Sequence, residues 1–372
     1  MVRLARPTVL IPLLAAVVSL ATVPAVSVAA PTGVTVQRIF GADRYATSAA
    51  IARATFGASP TPINKAVIAN GSDFPDAVLG ANFLSGYYGP GPILLTQPHN
   101  LPQPIVDVIR ALRVYQFFVI GGTAVVDRTV ESRLQTLGGA NGTWGGVYYR
   151  AAGIDRYATG AGVARSAFDA EANYPAVVDG MRTAFLVSGV AANDGLAVAP
   201  LAYALSPVHT KFPVLLTGPD ALSTLTRDAL LSLTGGNRPI QQVIVIGGPG
   251  AVSEVVLSQI RAVGLSARRI EGADRQATAV ALADFATKTL GWNTTRVVLA
   301  RGDQPVDAAS AAPYAGENRA PLLFTSTPNQ LGSATEDFLR AHADTIQNID
   351  VLGDTGAVSD AVIAQARAAV GG

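Results

Sequence analysis

The sequence has 372 residues, of which 14% are charged and 49% are hydrophobic, with 27 basic against 26 acidic side chains. This composition is typical of a well-buried globular protein and excludes a disordered chain, and the charge balance excludes a polybasic nucleic-acid surface. The chain contains no cysteine, which excludes disulfides, thiolate metal sites and thiol chemistry.

The first thirty residues have the pattern of a secretory signal peptide. Arg3 and Arg6 precede an apolar run, 7–23, and small residues follow it at 25–30. This is the order of the charged, apolar and cleavage regions, so we assign residues 1–30 to a signal peptide. An uncleaved membrane anchor is the alternative. No later segment is apolar for long enough to span a bilayer, so we expect an exported chain with no transmembrane segment after cleavage.

One stretch occurs three times and organises the rest of the chain. It contains Gly-x-Asp-Arg, and its aspartates, Asp43, Asp155 and Asp274, lie 112 (155 − 43) and 119 (274 − 155) residues apart. A repeat of this length has the size of a domain, whereas solenoid units have about 20–50 residues. We therefore predict three copies of one domain. The predicted module boundaries are 34–140, 147–265 and 266–372.

Four landmarks follow one another in the same order in each copy. The Gly-x-Asp-Arg stretch runs into an Ala-rich pattern in which Tyr45, Ala49, Ala52 and Phe56 share one face of a helix. An apolar strand comes next, followed by a glycine and, five residues later, an aspartate. These aspartates are Asp76, Asp194 and Asp307. A strand that begins with proline is third, and a strand with a glycine turn and a helix is fourth.

The alternation of apolar strands with helical patterns predicts the fold class. Continuous apolar strands are typical of a parallel sheet that is covered on both faces. Each repeat is therefore predicted to be a compact α/β module of about four strand–helix units with a mostly parallel sheet.

The landmarks place polar groups where an open parallel sheet binds ligands, beyond the carboxyl ends of its strands. Each landmark loop also opens a helix, whose N-terminal amides favour anions. Arginines of the first landmark add forked donors that suit phosphate or carboxylate. These arginines are Arg38, Arg44, Arg150, Arg156, Arg269 and Arg275. An anionic, repetitive ligand fits this chemistry.

Structural roles compete with binding for the same residues. Asp43, Asp155 and Asp274 are alternatively helix N-caps, with the following arginines paired internally or between modules. The same capping role is open for the second set of aspartates. The candidate ligand-binding residues are Arg38, Asp43, Arg44, Tyr45, Asp76, Arg150, Asp155, Arg156, Tyr157, Asp194, Arg269, Asp274, Arg275 and Asp307.

Signals for catalysis are sparse. The histidines are His99, His209 and His342, and no pair of them has metal-ligand spacing. A Gly-x-Ser-x-Gly nucleophile elbow is absent as well. We therefore assign no catalytic residue, metal or cofactor. Three similar sites favour a binding protein, which gains avidity from repetition, over an enzyme.

The ordered motifs resemble the cell wall binding repeat 2 family. They are Arg-x-x-Gly-x-Asp-Arg-Tyr-x-Thr, Gly-x-x-x-x-Asp-Ala, Pro-Ile-Leu-Leu-Thr and Ile-Gly-Gly-x-x-x-Val-Ser, and the resemblance covers the chain after the signal peptide. It implies three α/β modules packed with pseudo-threefold symmetry. It also implies non-covalent attachment to an anionic cell-wall glycopolymer of a Gram-positive-type envelope. Gln276 departs from the tyrosine of the first two copies, and Asp354 departs from the second glycine of the fourth motif.

The resemblance thus implies a secreted, cell-wall-associated anchor that is not an enzyme. Its expected partners are an anionic cell-wall polysaccharide or peptidoglycan and a separate effector protein, and no nucleic acid. The alternative is a peptidoglycan hydrolase of the amidase class, or a modifier of one.

Overall fold

Three parallel β-sheets, each covered by helices, make up the computed structural model. The structure describes residues 33–72, 74–84, 89–138, 145–168, 173–190, 193–204, 210–235 and 239–371. The signal peptide predicted at 1–30 lies outside these ranges. From Gly33 onward the chain forms a single packed unit.

The predicted order of strands and helices is present in each repeat, and the second repeat has three further short strands. In the first repeat they are β1 (Thr35–Ile39), α1 (Arg44–Phe56), β2 (Lys65–Asn70), α2 (Pro75–Gly80), β3 (Ile93–Thr96), α3 (Gln103–Ala111), β4 (Gln116–Ile120) and α4 (Arg128–Gly138). In the second they are β5 (Gly146–Ala151), α5 (Arg156–Ala167), β6 (Tyr174–Pro175), β7 (Val177–Val178), β8 (Met181–Ser188), α6 (Asn193–Tyr203), β9 (Thr210–Lys211), β10 (Val214–Thr217), α7 (Thr224–Leu233), β11 (Gln242–Ile246) and α8 (Glu254–Ala262). In the third they are β12 (Ser266–Ile270), α9 (Arg275–Leu290), β13 (Arg296–Arg301), α10 (Ala312–Glu317), β14 (Leu322–Thr325), α11 (Ser333–Ala341), β15 (Asn348–Leu352) and α12 (Asp360–Ala369). Short 3₁₀ helices cover Ala81–Phe83 and Asp307–Ser310.

The predicted α/β fold with mostly parallel sheets is confirmed. The three strand orders are β3-β2-β4-β5, β10-β8-β11-β12 and β14-β13-β15-β1, and every neighbouring pair within them is parallel. The short strand β7 adds to β8 in the antiparallel sense, and β6 pairs with β9 separately.

The sheets are offset from the sequence repeat by one strand. The strand that opens each repeat joins the sheet of the preceding repeat, because β5 pairs with β4 and β12 pairs with β11. The first strand closes the series, since β1 pairs with β15 near the end of the chain. The boundaries 34–140, 147–265 and 266–372 stay a prediction about the repeating sequence unit, and the hydrogen-bonded sheets do not follow them.

A side-chain contact reinforces the closure between β1 and β15. Arg38 donates hydrogen bonds to the carbonyl oxygens of Gly353, Asp354 and Val358 at 3.0, 2.9 and 2.8 Å. Its guanidinium also pairs with Asp360 at 3.0 Å. The first strand of the described chain is therefore held by the last strand–helix unit.

One apolar core is shared by the three repeats. The helices α2, α6 and α10 occupy equivalent places in the repeats, and each contributes buried residues to this core, among them Leu79, Leu201 and Tyr314. Separate apolar clusters lie within the first repeat and within the third. A shared core explains why three modules pack as one unit with pseudo-threefold symmetry.

Buried polar groups join the first repeat to the second. The Asn82 side chain donates to the carbonyl of Val214 at 3.0 Å and accepts from its amide at 3.2 Å. The Lys211 ammonium donates to the carbonyl oxygens of Ala81 and Asn82 at 2.8 and 2.9 Å and to that of Leu84. These bonds fix how the two repeats meet, because buried polar groups left without partners are costly.

No helix in the described ranges is both long enough and apolar enough to cross a membrane.

Candidate binding clefts between the repeats

The Gly-x-Asp-Arg stretch forms a tight helix start. The Gly41 amide donates to Thr47 Oγ1 at 3.1 Å, and a Cβ atom at Gly41 would lie 2.4 Å from the carbonyl carbon of Ala46. The equivalent amides of the second and third repeats donate to Thr159 and Thr278. The glycine is therefore required for close approach of the strand end to the helix, and the threonine completes the turn.

The aspartates of this stretch cap the helices that follow. Asp43 Oδ1 accepts from the amides of Tyr45 and Ala46 at 2.9 and 2.8 Å. Asp155 and Asp274 accept equivalent amides at 2.7 and 2.8 Å. The capping alternative is confirmed. The amides that bond to the capping aspartates are not available to a ligand. The expectation that they bind an anion is therefore wrong. Contact between the three aspartates and a ligand stays a prediction.

The first arginine of each repeat is a structural tie. Arg150 donates to the carbonyl of Gly121 at 2.7 Å and pairs with Glu131 at 2.8 Å. Arg269 donates to Gly247 at 2.6 Å and pairs with Glu254 at 2.7 Å. These contacts match those of Arg38. The guanidinium joins a glycine turn to the helix after it. Because these three arginines already bond within the protein, they have fewer donors left for a ligand.

The second arginine of each repeat reaches the loop after the repeat's own next strand. Its guanidinium donates to a glycine carbonyl, and the pairs are Arg44 with Gly71, Arg156 with Gly189 and Arg275 with Gly302. Arg275 also donates to the Asp303 carbonyl at 3.1 Å, again from Nη1. Within the described ranges, Nε and Nη2 of Arg44 and Arg275 have no hydrogen-bond partner.

The second set of aspartates does not cap helices, so that alternative is wrong. Phe74 holds the N-cap position of α2, and Asp76 lies inside the first turn. Each of these aspartates lies instead against a glycine turn: a Cβ atom at Gly121, Gly247 or Gly353 would approach the Oδ2 of its aspartate to 2.6, 2.6 or 2.5 Å. The aspartates in question are Asp76, Asp194 and Asp307. The glycines make room for the carboxylates.

Burial and neighbouring charge set the protonation of these carboxyls. Burial raises the pKa of Asp194, with Arg275 lowering it and Asp274 raising it in smaller measure. Burial also raises the pKa of Asp307, and the hydrogen bond from Thr47 and the charge of Arg44 oppose this rise. An aspartate of one repeat thus faces the helix start of the next.

Equivalent groups come together wherever one repeat meets the next, and we call each of these three junctions a cleft. The first cleft lies between repeats 1 and 2, the second between repeats 2 and 3, and the third between repeats 3 and 1. In each, the amide of a glycine turn donates to the carbonyl at the end of the neighbouring strand. The pairs are Gly121 with Ala151, Gly247 with Ile270 and Gly353 with Ile39. The second cleft has a volume of about 490 Å³ and is lined by Asp194, 248–251, 271–275 and Thr278.

The tyrosines of the motif are half-buried beside the clefts. A Cβ atom at Gly71 would lie 2.7 Å from the ring of Tyr45, and one at Gly189 would lie 2.6 Å from the ring of Tyr157. Gln276 occupies the same place in the third repeat and donates to the Thr325 carbonyl at 3.2 Å. Since Gln276 is buried, its difference from tyrosine alters the core more than the cleft surface.

Two residues that our sequence analysis missed stand at the cleft rim. Phe40 follows Ile39 and is 52% exposed, and Glu271 follows Ile270 and lines the second cleft. Ala152 holds the same position in the first cleft. The three copies of the motif align at this position. The different residue types found there were the signal in the sequence that could have identified these residues.

Comparisons with known proteins agree with this architecture. Residues 38–131, 150–257 and 269–363 match the family described as Cell wall binding domain 2 (CWB2). The chain is 32% identical over 213 residues to "N-acetylmuramoyl-L-alanine amidase LytC" of Bacillus subtilis (strain 168), covering 57% of this chain and 37% of that protein. It is 25% identical over 325 residues to "Amidase enhancer" of the same organism, covering 87% of this chain and 39% of the relative. The chain therefore spans well under half the length of these relatives.

Two solved structures share the fold. "Cwp6 from Clostridium difficile" has a TM-score of 0.72 and 22% identity, covering 91% of this chain and 48% of that one. "Cwp8 from Clostridium difficile" has a TM-score of 0.70 and 21% identity, covering 90% and 52%. The family match extends over all three repeats, each with the same cleft-forming motifs. The chain belongs to the Cell wall binding domain 2 family.

Proposed function

We propose that the protein is a secreted anchor that attaches non-covalently to an anionic cell-wall glycopolymer through the clefts between its repeats. The observation that carries this proposal is the recurring arginine at each cleft, Arg44, Arg156 or Arg275. Each guanidinium is held by a loop carbonyl, so it is oriented before a ligand arrives. A fixed fork suits the oxygens of a phosphate or carboxylate.

The ring of clefts suits a polymer. Related sites on one packed unit can engage successive parts of a repeating ligand, and a second contact then forms at high effective concentration. Individual contacts to exposed charges contribute little, on the order of 1 kcal/mol or less, so attachment depends on their combination. Peptidoglycan is the other wall component that such a surface would meet.

The test is co-sedimentation of the full chain with purified cell walls, intact or stripped of anionic polymers, at low and high salt. We expect binding to intact walls alone, and a loss of about tenfold or more in the triple variant Arg44→Ala, Arg156→Ala, Arg275→Ala. The matched control changes Arg53, Arg165 and Arg340 to alanine, which removes the same charge from helix positions away from the clefts.

The outcomes separate three possibilities. Equal loss in the cleft and control variants would mean that net charge alone drives attachment. Equal binding to intact and stripped walls would assign the ligand to peptidoglycan. No binding to either would refute the proposal.

A second candidate is activity on peptidoglycan, because one relative is named an amidase and another an amidase enhancer. In the described ranges no group of three metal-ligating side chains is assembled. We favour a role beside an effector protein over catalysis by this chain. Release of peptidoglycan fragments by the purified protein alone would reverse that preference, and faster release by an added amidase would identify an effector partner.

A further inference from the structure

The three clefts share a backbone arrangement, and one rim position holds a different type of residue in each. This position directly follows the strand residue whose carbonyl accepts the amide of the glycine turn, so its placement is the same in every cleft. It holds Ala152 in the first cleft, Glu271 in the second and Phe40 in the third. We infer that this rim position selects which clefts accept the polymer, with Glu271 excluding an anionic ligand from the second cleft and Phe40 stacking on a sugar ring in the third. The inference rests on the proposed function.

Glu271 adds to the second cleft a carboxylate that has only a long ion pair to offset its charge. Its side chain is 43% exposed, and its carboxylate pairs with Arg269 at 3.9 Å, a distance too long for a hydrogen bond. That arginine already bonds to Glu254 at 2.7 Å. The carboxylate leans over Gly248, where a Cβ atom would lie 3.2 Å from Glu271 Oε2. Glu271 therefore faces the space that a ligand of Arg275 would enter.

Three other carboxylates at the clefts accept hydrogen bonds from backbone amides. Asp43 and Asp274 are held by helix amides, and the dipole of the helix offsets their charge. Asp354 in the third cleft accepts from the amides of Gly356 and Ala357 at 2.9 and 3.0 Å. These groups are bound to the backbone, whereas the carboxylate of Glu271 is directed at the opening.

Phe40 gives the third cleft an exposed apolar side chain, four residues before Arg44 in the sequence. The ring is 52% exposed, although burial is the usual environment of phenylalanine. It precedes Arg44, whose Nε and Nη2 have no hydrogen-bond partner in the described part of the chain. An exposed aromatic ring suits stacking on a sugar ring, and the arginine at the start of the same cleft's helix suits an anionic substituent of that sugar.

The experiment counts sites with a defined probe. The probe is fragments of the anionic wall polymer, a few repeating units long, released from purified walls by mild acid and titrated calorimetrically into the full chain. We expect fewer than three fragments per wild-type chain. Glu271→Gln should add one site, Ala152→Glu should remove one, and Phe40→Ala should weaken the tightest site by about tenfold, the effect of losing roughly 1.4 kcal/mol of ring contact.

Val255→Gln, an exposed substitution on α8, is the control and should leave the count unchanged. Three equal sites in wild type, with Glu271→Gln without effect, would overturn this inference while the proposed function stands. An absence of fragment binding in wild type and in every variant would overturn both.

Discussion

Lys211 makes the junction between the first two repeats sensitive to pH. Its ammonium is buried against three backbone carbonyls, and burial lowers the pKa from 10.5 to about 7. The unfolded chain keeps its proton up to the ordinary pKa, whereas the folded protein releases it near neutrality. Between about pH 7 and 10.5 the unfolded state binds more protons, so the free energy of unfolding rises with pH.

The size of this effect follows from the pKa. At about 1.36 kcal/mol per pH unit, raising the pH from about 7 to 9.5 increases the free energy of unfolding by about 3 kcal/mol. This is an upper limit, because the carbonyl acceptors favour the charged form. The window stops below about pH 10, since burial raises the pKa of Tyr203 and Tyr314 and these groups add the opposite slope there.

The assay is urea denaturation of wild type, Lys211→Met and Lys288→Met across that window. Lys288 is a suitable control because its side chain is 71% exposed. We expect the rise with pH in wild type and in Lys288→Met, and a clearly smaller rise in Lys211→Met, where Lys65, whose pKa burial also lowers, still contributes. The absolute stability of Lys211→Met is less informative, because the substitution also leaves carbonyls without a donor. Equal slopes in wild type and Lys211→Met would refute the reasoning.

Three further substitutions test the structure. Asn82→Ala should lower the free energy of unfolding by about 2–4 kcal/mol, because it leaves the buried amide and carbonyl of Val214 without their partner. Thermal denaturation measures the loss, with Asn329→Ala as an exposed control. Equal midpoints for the two variants would contradict the prediction. Gly41→Ala should lower the free energy of unfolding by at least about 2 kcal/mol, because the added Cβ would lie 2.4 Å from backbone. Gly250→Ala is the control and should be tolerated, since there is open space around that position. Similar losses of stability in both variants would contradict the prediction. Burial raises the pKa of Asp307, so above pH 3.8 the folded state holds a proton that the unfolded chain loses, and this lowers the free energy of unfolding as the pH rises. Asp307→Asn should remove this contribution, which chemical denaturation from about pH 3.5 to 7 would measure. An unchanged pH dependence would contradict the prediction.

Local patterns in the sequence predicted the elements well. The apolar runs that became β2, β3 and β4 are continuous and bounded by glycine or proline, so period and length identify them as buried strands. The face formed by Tyr45, Ala49, Ala52 and Phe56 became one side of α1 for the same reason. These features depend on neighbouring residues alone.

Features that depend on backbone conformation or on distant partners were not predictable. In the sequence, Asp43 and Asp76 both stand just before apolar helical patterns. Only Asp43 has the extended backbone of an N-cap, whereas α-helical geometry already begins at Phe74, so Asp76 lies inside its helix. The offset between the sheets and the sequence repeats could not be predicted either. The strands that open the repeats have similar sequences, and periodicity does not say which of three related sheets each one joins.

The pairing of β1 with β15 determines when folding can finish. Their contacts join residues more than 300 positions apart, as the separation of 322 between Arg38 and Asp360 shows. Contacts over such separations form late, since a long loop must close first. Until residues 348–352 have emerged, β1 has no partner strand, and until β1 docks, β15 has an open edge that can pair with another chain. Synthesis from the N-terminus therefore presents β1 before the strand that completes its pairing.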